Sequence, residues 1–300
     1  MVNRKTRFKG HESFFFREGW LSKALISLDH KDEDIFNVSV GICKLGVGAN
    51  MVKSIRYWLI TSGLIAMNYK IRKNQLTALG EQIAWNDPYL EDDFTLWLIH
   101  LQIARNYENA TCWNVFFNEV TSDEFTEDEI FEFLKNYFEI RNVKFNEKSL
   151  KSDVQILLSM YSKAKDSGDP EENYICPLSR LQIIEQKEKG KYSKKLTNLS
   201  ILNEKIVLYA ILLSIESKEF RKNEAKYINL KELENEENSP IRLLGLNRIT
   251  FNEYLDRLVS KGYFRLEKTA GLDMLYLNSQ SDIADDPINV VKEYYQQRRV

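Results

Sequence analysis

The chain is short of the residues that build covalent and metal frameworks. Its 300 residues hold three cysteines, Cys43, Cys112 and Cys176, too far apart in sequence to suggest a disulfide frame. Free thiols fit a reduced, intracellular compartment, so the expectation is a cytoplasmic protein. Histidine is equally scarce, at positions 11, 30 and 100, and no Cys/His cluster has the spacing of a zinc site. No apolar run reaches the roughly 20 residues that span a bilayer, and the opening MVNRKTRFKG has no signal-peptide core. Disulfide-stapled, zinc-finger and membrane-spanning classes are thereby set aside, and no membrane partner is expected. The nuclease patterns PD-(D/E)xK, HNH and GIY-YIG are absent. His11-Glu12-Ser13-Phe14-Phe15 also lacks the HExxH spacing of zinc peptidases.

What is present is enough apolar material, 43% of residues, for a sizeable core spread over one to three domains. The net charge of −2 hides an uneven spread. Residues 1–85 carry 13 Lys/Arg against 7 Asp/Glu, whereas residues 86–150 carry 5 against 14. A basic front beside an acidic middle points to a polyanion contact at the front. The acidic block reads as a solvated surface.

Residues 37–85 carry the strongest pattern. A helical run ends at Leu45 and is broken by Gly46 and Gly48. A second runs from about Ala49 to Ser62, with Met51, Ile55, Trp58 and Leu59 on one face and Asn50, Lys53, Ser54 and Tyr57 on a polar one. Gly63 stops it. A strand-like run, Leu64–Ile71, leads into the basic turn Arg72-Lys73-Asn74-Gln75. Helix, glycine turn, helix and basic hairpin predict a winged helix-turn-helix that offers its second helix to the major groove and its wing to the backbone. Ser13 is the expected N-cap of a helix through Leu28.

The middle predicts a helical bundle over about 90–105, 111–120, 126–137 and 146–165, with Thr126-Glu127-Asp128-Glu129 as a capping box. Asp166–Pro170 reads as a linker and residues 186–191 as an exposed, mobile loop. From Asn203 the order is helix, strand, helix, helix and a hairpin turning at Thr269-Ala270-Gly271, a second winged-helix unit. The chain is therefore expected to be mainly α with small β-hairpin wings, divided into 1–86, 87–168 and 169–300. Candidate DNA contacts are Arg17, Lys23, Asn50, Lys53, Ser54, Arg56, Tyr57, Lys70, Arg72 and Lys73 at the front. Arg248, Asn252, Arg257 and Lys261 are those of the C-terminal unit. Asn reads bases or anchors phosphate, while Lys and Arg bind phosphate.

Phe8-Lys9-Gly10-His11-Glu12-Ser13-Phe14, Arg17-Glu18-Gly19-Trp20-Leu21-Ser22-Lys23, Leu45-Gly46-Val47-Gly48-Ala49-Asn50-Met51-Val52 and Ile55-Arg56-Tyr57-Trp58 resemble signature blocks of a bacterial domain-of-unknown-function family. That family includes SspB, the nicking component of single-strand DNA phosphorothioation systems. Cys176-Pro177-Leu178, Ser239-Pro240 through Leu255, and Glu267 through Leu272 are similar to its later blocks. The resemblance implies double-stranded DNA binding, strand nicking in an anti-phage defence system, and two partners, a cysteine desulfurase and a sulfotransfer-type ATPase.

Nicking needs an activated water and charge stabilisation on the phosphate, commonly through Mg²⁺ or Mn²⁺ on carboxylates. His11 and Glu12, beside Arg7, Lys9 and Arg17, are the candidate catalytic pair. The other reading is that they hydrogen-bond and cap the first helix. Glu267 and Asp273 are weaker candidates, and Asp92 and Asp93 fit a helix start. Two alternatives stand beside a nicking protein. One is a non-catalytic regulator, expected as a homodimer with recognition helices about 34 Å apart. The other is a scaffold for the sulfur-transfer partners.

Overall fold

The computed structural model describes residues 4–29, 34–70, 72–162, 175–222, 227–269, 272–278, 283 and 286–298. The expected linker Asp166–Pro170 and the hairpin centre Ala270-Gly271 lie outside them. The chain is mostly helical with small antiparallel sheets. It divides into two compact units, 1–195 and 196–300, so the expected front module and helical middle share one unit.

The first unit opens with a non-helical segment, residues 4–18. It continues as α1 (Trp20–Asp29), α2 (Val38–Leu45), α3 (Ala49–Thr61), the hairpin β1 (Ile65–Asn68) and β2 (Lys73–Leu76), and α4 (Ala78–Asn86). Asn37, Thr77 and Gly63 punctuate it. The first two side chains accept N-terminal amides of α2 and α4, and Gly63 turns the chain at φ 68° just after α3. The helix expected from Ser13 starts at Trp20 instead. Ser13 itself has φ 66° and lies in the segment that packs inward through His11, so it cannot cap.

Then come α5 (Asp93–Arg105), α6 (Thr111–Glu119), β3 (Glu124–Thr126), α7 (Glu127–Ile140), α8 (Glu147–Tyr161), a 3-10 turn (Pro177–Leu181), β4 (Ile184–Glu188) and β5 (Lys191–Lys194). The Thr126/Glu129 capping box is present. Helices α5 and α6 are buried nearly all round, as their apolar sequences require. Trp58, Trp97, Trp113, Phe116, Phe138 and Tyr161 are almost wholly buried. Each such ring contributes about 4–6 kcal/mol of transfer free energy before entropy is counted. The stretch expected as a mobile loop, 186–191, is instead a hairpin in a sheet ordered β3-β5-β4, turning at Gly190 with φ 81°. Its strands alternate in side-chain direction, but charges fill the outward positions and hide the period.

The second unit contains α9 (Glu204–Lys222), β6 (Tyr227–Asn229), α10 (Leu230–Asn235), α11 (Pro240–Leu244), α12 (Arg248–Ser260), β7 (Phe264–Thr269), β8 (Leu272–Leu277) and α13 (Ile288–Arg298), with strands ordered β6-β8-β7. Phe251, Tyr254, Leu255 and Leu258 of α12 form its core with Leu275. The buried Lys205 pairs with the half-buried Glu293 at 2.7 Å and joins α9 to α13.

Candidate nucleic-acid interface

Helices α2 and α3 cross at 89° over a three-residue turn, Gly46-Val47-Gly48. Their close approach requires Gly41. A Cβ there would sit 2.3 Å from the Ile35 carbonyl oxygen and 2.7 Å from Val52 Cγ1. One face of α3 is consequently buried through Val52, Ile55, Trp58 and Leu59. The opposite face leaves Asn50 and Lys53 exposed and Arg56 half-buried. Arg56 Nη2 donates to Asn74 Oδ1 of β2 at 3.5 Å, tying this face to the hairpin. At the hairpin tip Tyr69, Lys70, Arg72 and Lys73 are all exposed. Residues 49–76 hold five Lys/Arg and no Asp or Glu. The surface is therefore cationic without internal carboxylate partners, the property a phosphate backbone selects.

Two members of the expected polar stripe do not face outward. Ser54 and Tyr57 are buried because residues 4–18 lie across them. Ser54 Oγ and Trp58 Nε1 both donate to the Phe14 carbonyl, at 3.3 and 2.9 Å. Tyr57 donates its hydroxyl to the Asn109 carbonyl at 2.7 Å, beneath the Arg7 guanidinium. Burial pushes the Tyr57 phenol well above its ordinary pKa. The i, i+3, i+4 spacing grouped these residues correctly. It could not show that a distant segment covers part of the stripe.

His11 is fully buried and holds that segment in place. The Ser13 amide donates to His11 Nδ1 at 3.1 Å, so Nδ1 carries a lone pair and Nε2 carries the proton. Nε2 then donates to Asp153 Oδ1 of α8 at 2.7 Å, and the Lys9 amide donates to the same oxygen at 2.8 Å. The ring stacks on Trp58 and meets Tyr57 and Trp113 edge-on. Burial raises the Asp153 pKa, opposed by His11 and the Lys9 amide. Lys9, Glu12 and Ser13 all adopt positive φ, from 51° to 66°, to make this turn. As a general base His11 is therefore misplaced: both ring nitrogens are engaged and water is excluded. Glu12 is exposed on the outside of the turn. Neither caps the first helix.

The remaining candidates divide cleanly. Asp92 caps α5 and Asp93 pairs with Arg180 at 2.7 Å. Arg248 is held bidentately by Glu234, Lys261 pairs with Glu204, and Glu267 pairs with Arg265. Asp273 is half-buried on β8, and Asn252 and Arg257 are exposed on α12. Among the described residues no three His, Cys, Asp or Glu side chains gather to hold a metal ion.

Arg17 and Lys23 line an open groove of about 660 Å³ between the start of α1 and the α2–α3 turn. Arg17 lies over the Trp20 ring at 5.2 Å, and Lys23 Nζ donates to the Leu45 carbonyl at 3.3 Å. Sequence spacing gave no sign of this groove, because its walls come from three separate elements.

With that geometry in hand, comparison places the chain. The model of the family described as "Protein of unknown function (DUF4007)" matches residues 8–295, and the chain belongs to that family. Two crystal structures share its fold at 24% identity, covering 99% of this chain and 90% of theirs. One is of SspB, with a TM-score of 0.81, and one of magnesium ion-bound SspB, with a TM-score of 0.80. No curated protein matches significantly. No single helix among the described residues is long and apolar enough to cross a membrane.

Proposed function

We propose that this protein binds double-stranded DNA through a winged helix-turn-helix in its first unit. In this reading α3 lies in the major groove and the β1–β2 hairpin follows the backbone. The observation that carries it is the acid-free surface of Asn50, Lys53, Arg56, Lys70, Arg72 and Lys73, on two helices at 89° with a three-residue turn. The family resemblance supports a role in a DNA phosphorothioation system, and in this reading the protein works beside sulfur-transfer partners. Strand nicking rests on that resemblance alone, since His11 is committed to Asp153.

Fluorescence anisotropy on a labelled duplex tests the reading. Binding at low salt is expected, with a logarithmic salt slope that falls by about one for each phosphate-contacting Lys or Arg replaced by Ala. A duplex that does not bind, or a slope unmoved by Lys53→Ala and Arg72→Ala together, would sink it. Supercoiled-plasmid relaxation with Mg²⁺ or Mn²⁺ separates a nicking protein from a non-catalytic regulator. Glu12→Ala, at an exposed position, serves as a control in that assay.

A scaffold role is favoured by one observation in the second unit. Helix α12 exposes Ile249 together with Glu253, Asp256 and Arg257, a mixed surface suited to protein rather than to phosphate. Retained capture of the desulfurase or ATPase by a chain unable to bind DNA would support it.

A further inference from the structure

We infer that the groove between α1 and the α2–α3 turn receives a single unpaired nucleotide, so that the protein prefers locally opened duplex over intact duplex. This rests on the DNA-binding reading and assigns the groove a separate ligand. Its volume of about 660 Å³ falls within the roughly 300–1,000 Å³ of small-ligand sites. Its walls are amphipathic. Trp20, Ile42, Val47 and Met51 supply apolar surface, and Arg17, Lys23 and Glu18 supply charge.

Plain phosphate does not suit this lining, because it places a carboxylate and several apolar side chains beside the two cations. A nucleotide suits all of it. The half-buried Arg17 guanidinium, backed by Trp20, offers a plane on which a base can stack. Glu18, exposed at the rim, can accept an N–H from a base edge, and every base carries one. Lys23 Nζ, which also donates to the Leu45 carbonyl, has further N–H donors for the phosphate. The lining thus selects an unstacked base without selecting its identity.

Gly48 lines the same groove. Its φ of −70° suits any residue, and a Cβ there would meet nothing within 4 Å. It also occupies the N-cap of α3, where a Ser, Thr, Asn or Asp side chain would accept an amide. Glycine is itself a favoured N-cap residue, and its lack of a side chain leaves the groove open at this point.

The test uses the full chain and two labelled duplexes, identical except for one unpaired 2-aminopurine in the second. The wild type should bind the second about tenfold tighter, the equivalent of one stacked base, and 2-aminopurine emission should change on binding. Gly48→Leu fills the groove without adding charge. It should erase the preference and the emission change while paired-duplex affinity stays within about twofold. Arg17→Lys keeps the charge but loses the plane, so it should reduce the preference and leave the salt slope unchanged. Equal binding of both duplexes by the wild type would overturn the inference and leave the DNA reading standing. A preference that survives Gly48→Leu would remove it from this groove. Binding to neither duplex at low salt would overturn both.

Discussion

Each unit sets a helix after a glycine turn and follows it with a hairpin, yet the two present opposite surfaces. Helix α3 and its hairpin show cations with no acid among them. On α12 Glu253 and Asp256 share the exposed face, while Glu234 and Glu204 neutralise Arg248 and Lys261. The same local order of elements therefore does not imply the same ligand, because exposed side chains, not topology, set what each helix attracts. The units also differ in what positions the helix. Across α3 runs the segment 4–18, locked by the His11–Asp153 pair. Helix α12 is held by its own apolar face and by the Tyr254 hydroxyl, which donates to the Leu202 carbonyl at 2.6 Å.

The most disruptive way to break that contrast is to cut the lock. His11→Ala leaves Asp153 buried without its side-chain partner and opens space among three aromatic rings. A loss of about 3–5 kcal/mol is expected in the first unit. All five tryptophans lie between residues 20 and 113, so intrinsic tryptophan fluorescence in a denaturant series reports this unit and not the second. A midpoint unchanged from the wild type would mean that the pair does not hold the segment.

Charge reversal comes next. Lys53→Glu should lower duplex affinity by about tenfold or more at low salt, whereas Arg257→Glu on α12 should change it by less than about twofold. Equal losses would show that both helices touch DNA and that the contrast in charge carries no functional weight. The converse experiment gives the second unit the character of the first. Glu204→Ala with Glu234→Ala frees Lys261 and Arg248, and should steepen the salt slope by at most about two, with a gain in non-specific binding of a few-fold. Lys261 and Arg248 are exposed but Glu204 and Glu234 are half-buried, so a thermal melt of the double variant separates lost charge pairing from lost packing. No change in slope would mean that α12 lies away from the nucleic acid.

Much of this contrast was readable from the residues. Gly46, Gly48 and Gly63 mark turns in any context, and the Thr126–Glu129 box announces its helix. The basic hairpin is local in sequence. The burial of Ser54 and Tyr57 was not readable, because it depends on a segment 40 or more residues earlier in the chain. Nor was the partner of His11. Asp153 lies on α8 among Glu147, Lys148 and Lys151, where its spacing is that of any solvated carboxylate in a charged helix. The pairs Arg248–Glu234 and Lys261–Glu204 likewise join residues with no periodic relation, so sequence alone left both cations looking available. Helix spacing shows which residues share a side, and tertiary packing decides which sides remain open.

The smallest expected effect concerns the charge inside the lock. His11 donates through Nε2, so Asp153 needs only an oxygen acceptor, and Asn keeps one for both the ring and the Lys9 amide. Burial holds the Asp153 pKa above the ordinary carboxylate value, so the fold favours its protonated form. That contribution is complete below about pH 4, the unfolded value, and is lost as pH rises through the raised folded value. Asp153→Asn has no such group to titrate. Its thermal midpoint relative to wild type should therefore rise from pH 4 toward neutrality, by a few degrees at most, when followed by tryptophan fluorescence. A midpoint that instead falls steadily behind the wild type over this range would show that the carboxylate charge stabilises the lock, with His11 paired to it as imidazolium. The Ser13 amide would then have to release Nδ1, and the segment over α3 would become the part of the molecule that responds to pH, with no counterpart beside α12.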